Sequence, residues 1–141
     1  MPMLNDRDRE AVRQHLEGLP GKVRLVHFTQ SLACDSCPQA KALLEEVAQL
    51  SDQVELQVLN LQVDRAEAER LGVERVPGTA IVGEREARIV YYGLPLGYEF
   101  AALLETMHMV ARADSGLEKA SRERLATLHD PLHLQVFVTP G

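Results

Sequence analysis

The stretch Ala33-Cys34-Asp35-Ser36-Cys37-Pro38 constrains this chain most. It holds the only two cysteines and sits where an apolar, β-branched run over residues 23–28 gives way to helical periodicity. Downstream, Ala40, Leu43, Leu44, Val47 and Ala48 recur at helical spacing. A thiol at the start of that helix faces unpaired backbone N–H groups and the positive end of the helix dipole, both of which favour a thiolate. Two intervening residues let the sulfurs meet within one helical turn, so a disulfide can form and reopen without unfolding. The pair reads as a redox dithiol. A structural crosslink is the weaker reading, because so short a loop constrains the unfolded chain little. A zinc site needs four ligands, and there is neither a second cysteine pair nor a pair of closely spaced histidines. His27 lies in the strand and reads as a sheet-face residue. No metal and no cofactor are expected.

Length and charge narrow the class. A chain of 141 residues with 45% apolar content is long enough for one domain with a proper core and some excess. The net charge of −6 argues against a nucleic-acid surface, and no apolar run approaches the length needed to cross a bilayer. The N-terminal residues carry no basic flank leading into an apolar segment, so no secretory leader is read and the expected location is cytoplasmic. In that reducing compartment a cysteine pair is catalytic more often than structural.

Taken in order, the spacing predicts a helix over residues 6–16, capped by Asn5 or Asp6, with Val12, Leu16 and Leu19 as its apolar stripe. Leu19-Pro20-Gly21 breaks it and leads into a strand over 23–29. Pro38 falls in the first turn of the next helix, where a missing N–H costs little, and that helix runs to about residue 50. A second strand spans 53–61. Asp64-Arg65-Ala66-Glu67 has the spacing of a capping box, and Gly72 is a good terminator for the short helix it opens. Pro77 precedes the apolar run Thr79-Ala80-Ile81-Val82 and must lie at that strand's edge or start, since proline cannot donate to a ladder. Read alone, Pro77 is a turn residue. Gly83-Glu84-Arg85-Glu86 turns the chain into a strand over 87–92, so the last two strands form an antiparallel hairpin. Phe100, Leu103, Leu104, Met107 and Ala111 define a helix over 98–112. Met107 and Met109 read as core and surface filler rather than a metal-binding pair.

The order strand, CxxC helix, strand, helix, proline-led strand, strand, helix resembles a thioredoxin-like fold. Leu71-Gly72-Val73-Glu74-Arg75-Val76-Pro77 matches that superfamily's segment before its cis-proline, and the resemblance covers residues 22–112. Within the superfamily, Cys34-Asp35-Ser36-Cys37-Pro38 together with Tyr92-Gly93-Leu94-Pro95-Leu96-Gly97-Tyr98-Glu99-Phe100 most resembles the first unit of the tandem glutaredoxin-like protein disulfide oxidoreductases. Two departures stand out. No Trp precedes Cys34, which argues against thioredoxin itself, and Asp35-Ser36 replaces the Gly-Pro or Pro-Tyr pairs of better-known relatives. The expected architecture is therefore α/β: a central mixed four-stranded sheet flanked by helices, with an N-terminal helix extension (1–21), a thioredoxin-like domain (22–112) and a C-terminal helix-strand arm (113–141).

The arm carries a repeat signal. Gln135-Val136-Phe137-Val138-Thr139-Pro140 reads like Leu25-Val26-His27-Phe28-Thr29-Gln30, and Ser115-Gly116-Leu117-Glu118 reads like the helix start near Asp6. Thr29 to Thr139 and Asp6 to Gly116 share an offset of 110 residues, about one thioredoxin-like domain. The expectation is a first unit followed by the opening helix (117–128) and strand (133–138) of a second, as a truncation or a naturally shortened form. An unpaired apolar strand is a template for pairing. Its outlets are the edge of its own sheet or exchange with an identical protomer in a homodimer, set against a disordered tail.

The resemblance implies roles residue by residue. Cys34 would be the attacking thiolate and Cys37 would resolve the mixed disulfide. Pro77 would be the cis-proline opposite, with the Val76 backbone holding a substrate strand. Asp35 and Ser36 would tune the redox couple. The implied function is thiol-disulfide oxidation and reduction on protein disulfides, with electrons from a reductase or a low-molecular-weight thiol, and with no nucleic-acid or membrane partner. Three rivals stand beside it. One is an electron relay to a peroxide-reducing system of the alkyl hydroperoxide reductase type. The others are a glutaredoxin-type iron-sulfur carrier and a non-catalytic interaction module.

Overall fold

The structure, a computed structural model, describes residues 2–85 and 88–139. The first helix, α1 (Asp6–Glu17), starts at Asn5, whose side chain accepts the Asp8 N–H at 2.8 Å; of the two residues read as its cap, Asn5 is the one used. Strand β1 (Val23–Thr29) follows, then α2 (Cys37–Ala48), β2 (Val54–Asn60), α3 (Arg65–Leu71), β3 (Gly78–Val82), β4 (Arg88–Tyr92), α4 (Tyr98–Arg112) and α5 (Lys119–Leu125). The four strands form one mixed sheet in the order β2-β1-β3-β4. β1 runs parallel to β2 and antiparallel to β3, which in turn is antiparallel to β4. This is the thioredoxin-like arrangement expected from the element order.

Alternation along β1 divides the core into two layers. Val23 and Leu25 face a cluster with Val12 and Leu16 of α1, Leu43, Leu44 and Val47 of α2, and Leu103 and Met107 of α4. Val26 and Phe28 face the other way, onto Ala68 and Leu71 of α3 and onto Val73. The N-terminal helix shares the main core rather than standing apart from it. Its anchorage is also polar: the N–H groups of Met3 and Leu4 donate to the Glu46 carboxylate of α2, which also takes an ion pair from Arg9 at 2.9 Å.

Several expectations are corrected. The capping box at Asp64 does not form. The Asp64 carboxylate accepts the Asn60 N–H at 2.8 Å, while Glu67 pairs with Arg70. The turn between β2 and α3 has orphan donors of its own: Asn60 Oδ1 accepts the N–H groups of Gln62 and Val63, so the polar side chains serve the turn and not the helix end. Gly72 does end α3, in the left-handed conformation at φ 75°. In the expected hairpin turn, Glu86 and Ala87 lie outside the described residues, and β4 is in place from Arg88.

The C-terminal arm differs most from expectation. α5 is shorter than the helix read over 117–128 and buries none of its residues. Residues 133–138 form no strand. Leu134, Val136, Phe137 and Val138 are 80%, 84%, 89% and 82% exposed, so the arm docks on neither edge of its own sheet. A strand requires a neighbour for its N–H and C=O groups, and the described part of the chain offers this segment none. No described helix is long and apolar enough to cross a membrane.

Candidate active site

The dithiol sits at the C-terminal end of β1. Beyond Thr29 the chain leaves the sheet through residues 30–36, where the Gln30 side chain donates to the Leu32 carbonyl at 2.7 Å and Ala33 takes a left-handed φ of 56°. Cys34 and Cys37 are joined in a disulfide with Cα atoms 5.4 Å apart. The sequence put both cysteines at a helix start; in the structure α2 begins at Cys37, with Ser36 as its N-cap, and Cys34 lies in the preceding turn. The Cys37 N–H points to the Cys34 carbonyl at 3.4 Å. The two sulfurs are unequal in access: Cys34 is half-buried, whereas Cys37 is 1% exposed. A reagent or a partner disulfide therefore meets Cys34 first.

The other expected site residues come to the same end of the sheet, where its two central strands meet. Because β3 runs antiparallel to β1, with Gly78 paired to Phe28, the residue before Gly78 lies beside the end of β1 from which the CxxC loop departs. That residue is Pro77, buried, after a cis Val76–Pro77 peptide bond. Val76 is half-buried, and among the described residues nothing hydrogen-bonds its N–H. Asp35 is exposed next to Cys34. Ser36 caps α2 through its backbone only, as its side chain makes no capping hydrogen bond.

Two residues that sequence reasoning did not assign frame this site. His27, on the same face of β1 as Val23 and Leu25, is fully buried and not merely on a sheet face. Its Nδ1 and the Thr79 hydroxyl are hydrogen-bonded at 2.9 Å across the β1–β3 pair, and its Nε2 is buried without a partner among the described residues. Burial, helped by the Lys41 charge, pushes the His27 pKa down to about 4, so the ring is neutral at physiological pH. The period-2 pattern Val23, Leu25, His27 was the available signal for its burial. Tyr92, at the end of β4, donates its hydroxyl to the Gly72 carbonyl at 3.3 Å and accepts the Glu74 N–H at 2.9 Å. No local sequence signal points to it. Among the described residues no group of three or more His, Cys, Asp or Glu is arranged to hold a metal ion.

No family model matches the chain. Over 140 residues, 97% of this chain, it is 28% identical to an alkyl hydroperoxide reductase component of Staphylococcus epidermidis, of which the match covers 24%. Over 66 residues, 46% of this chain, it is 36% identical to a thioredoxin of Methanocaldococcus jannaschii, of which the match covers 76%. Among solved structures, a protein disulfide oxidoreductase from Aeropyrum pernix superposes with a TM-score of 0.78 at 27% identity, covering 88% of this chain and 55% of that one. The chain thus spans about a quarter of the first of these relatives and about half of the last.

Proposed function

We propose that this chain, which belongs to the thioredoxin-like superfamily, reduces and exchanges protein disulfides through Cys34 and Cys37. The observation that carries the reading is the unequal exposure of the pair, half-buried Cys34 against Cys37 at 1%, at the end of the sheet beside Val76 and Pro77. In the reduced protein the Cys34 thiolate attacks one sulfur of a substrate disulfide and releases the other as a thiolate, which takes up a proton. The Cys37 thiol then loses its proton and attacks Cys34 of the mixed disulfide, releasing the second substrate thiol. The substrate gains two electrons and two protons, and the protein is left with the Cys34–Cys37 disulfide. A reductase or a low-molecular-weight thiol returns the two electrons. The Val76 backbone, whose N–H has no hydrogen bond among the described residues, pairs with an extended substrate segment, and Pro77 keeps a competing donor out of the site.

Reduction of insulin disulfides with dithiothreitol as electron donor tests this reading. Turnover by the wild type and none by Cys34→Ser is the expected result; equal rates for both would overturn it. A second reading is a relay of electrons to a peroxide-reducing system, favoured by the similarity to the alkyl hydroperoxide reductase component along 97% of the chain. It uses the same two sulfurs, and faster reduction of a peroxidase disulfide than of insulin would select it. The arm over 113–141 is the opening of a second thioredoxin-like unit, as its 110-residue offset and the greater length of the relatives suggest. Its apolar segment 133–138 takes a sheet edge of an identical protomer, giving a two-fold dimer in which both copies are satisfied at once. The reaction runs in the cytoplasm, where thiols are kept reduced.

A further inference from the structure

The segment 72–77 has a demanding task if Val76 docks a substrate strand, because main-chain pairing tolerates little misplacement, yet it has no ladder of its own. At its start, the Val73 N–H is held by the Ala68 carbonyl at the end of α3, at 2.8 Å. Beyond that, Val73 and Val76 pack on the second core layer, and the polar support comes from the end of β4. The Tyr92 hydroxyl bridges the Gly72 carbonyl and the Glu74 N–H. The Arg75 guanidinium lies over the Tyr92 ring, 4.3 Å from its centroid. Tyr92 is the register partner of Gly78, and the Gly93 N–H donates to the Pro77 carbonyl at 2.9 Å. Gly78 closes the arrangement: a Cβ there would stand 2.6 Å from the Arg75 carbonyl oxygen, 2.7 Å from Val73 Cγ1 and 3.2 Å from the Tyr92 ring. The turn and the tyrosine are therefore packed without slack. Among the described residues, the polar contacts of Glu74 and Arg75, the two residues before Val76, all run to Tyr92.

We propose that Tyr92 is a positioning residue for substrate docking: it clasps the segment 72–77 and sets where the Val76 backbone stands relative to the dithiol. The inference rests on the disulfide-exchange reading above. The hydrogen bonds and the stacking of Tyr92 go to residues 72–75 and to neither sulfur, so its influence falls on recognition of a polypeptide strand and not on the chemistry of Cys34. A small disulfide, which needs no strand pairing, is indifferent to it.

The test compares wild type, Tyr92→Phe and Arg75→Ala with two oxidants: insulin, and the small aromatic disulfide 5,5′-dithiobis(2-nitrobenzoate). Loss of the hydroxyl removes two hydrogen bonds and keeps the ring, so the KM for insulin should rise about fivefold or more. The kcat for insulin and the rate with the small disulfide should stay within about twofold of wild type. Arg75→Ala, which removes only the stacked cation, should raise the same KM by about twofold to fivefold. An unchanged KM in both variants, even with a lowered melting temperature, overturns the proposal by leaving Tyr92 a purely structural role. A parallel fall in the rate with the small disulfide also overturns it, because the clasp would then act on the dithiol. If Tyr92→Phe does not fold, Arg75→Ala decides by the same criteria. A wild type that fails to reduce insulin is a different failure, since it removes the disulfide-exchange reading itself.

Discussion

His27 makes the stability of this protein sensitive to mild acid. Unfolded, the ring titrates near 6.5; folded, burial first and the Lys41 charge second depress it to about 4. A histidine depressed on folding is more readily protonated in the unfolded state. The stability it contributes is thus fully present above pH 6.5 and is lost progressively as the pH falls towards 4. The gap corresponds to about 3 kcal/mol at roughly 1.4 kcal/mol per pH unit, of which about 2 kcal/mol is lost between pH 7 and pH 5. That window separates His27 from the surface carboxyls. Glu10, held below the ordinary carboxyl value of 4.5 by Arg13 and Gln14, and Glu67, held below it by Arg70, lose their contributions only as the pH falls below that value. Urea unfolding of wild type and His27→Asn at pH 7 and pH 5 measures the effect. Asparagine can still bond the Thr79 hydroxyl but does not titrate. The variant starts lower because the smaller side chain packs less well, yet its stability should change by under about 0.5 kcal/mol across the window, against about 2 kcal/mol for wild type. Every other titrating group is common to both proteins, so equal losses would refute the assignment of a neutral, buried His27.

Three further outcomes are expected. Cys37→Ser should trap a mixed disulfide with substrate, detectable by mass spectrometry, and at neutral pH an alkylating reagent should modify Cys34 of the reduced wild type first; preferential labelling of Cys37 would reverse the two roles. The exposed Asp35 carboxylate beside Cys34 opposes thiolate formation and disfavours the reduced state, so the couple should lie closer to about −270 mV than to about −120 mV, and equilibration against glutathione giving a value above about −180 mV would reject this. By light scattering the full chain should be a dimer, and a version ending at Arg112 a monomer that retains disulfide reduction; two monomers would dismiss the arm-exchange dimer.

Where a signal is local, the sequence alone was enough. The bounds of β1 follow from an apolar, β-branched run after a Pro-Gly break and those of α4 from 3.6-residue spacing, the end of α3 from a glycine that tolerates positive φ, and the position of the dithiol from two cysteines beside a proline. These depend on how a residue meets its near neighbours in the chain, and that physics is the same in any fold. What depended on a partner far along the chain could not be read this way. Asp64 had the spacing to cap α3 and bonds Asn60 instead, because the turn offered a competing donor. Residues 133–138 had the composition of a strand and form none, because a strand exists only where an edge receives it. His27 looked like an ordinary strand residue until tertiary packing buried it and set its Nδ1 against the Thr79 hydroxyl of β3. Tyr92 acquired its contacts only when β4 was laid beside β3, which brought a side chain 18 residues downstream of Glu74 onto its backbone. The tertiary structure decided these cases because hydrogen-bond choice and burial are set by which groups compete in space, and that competition is not encoded at any single stretch of sequence.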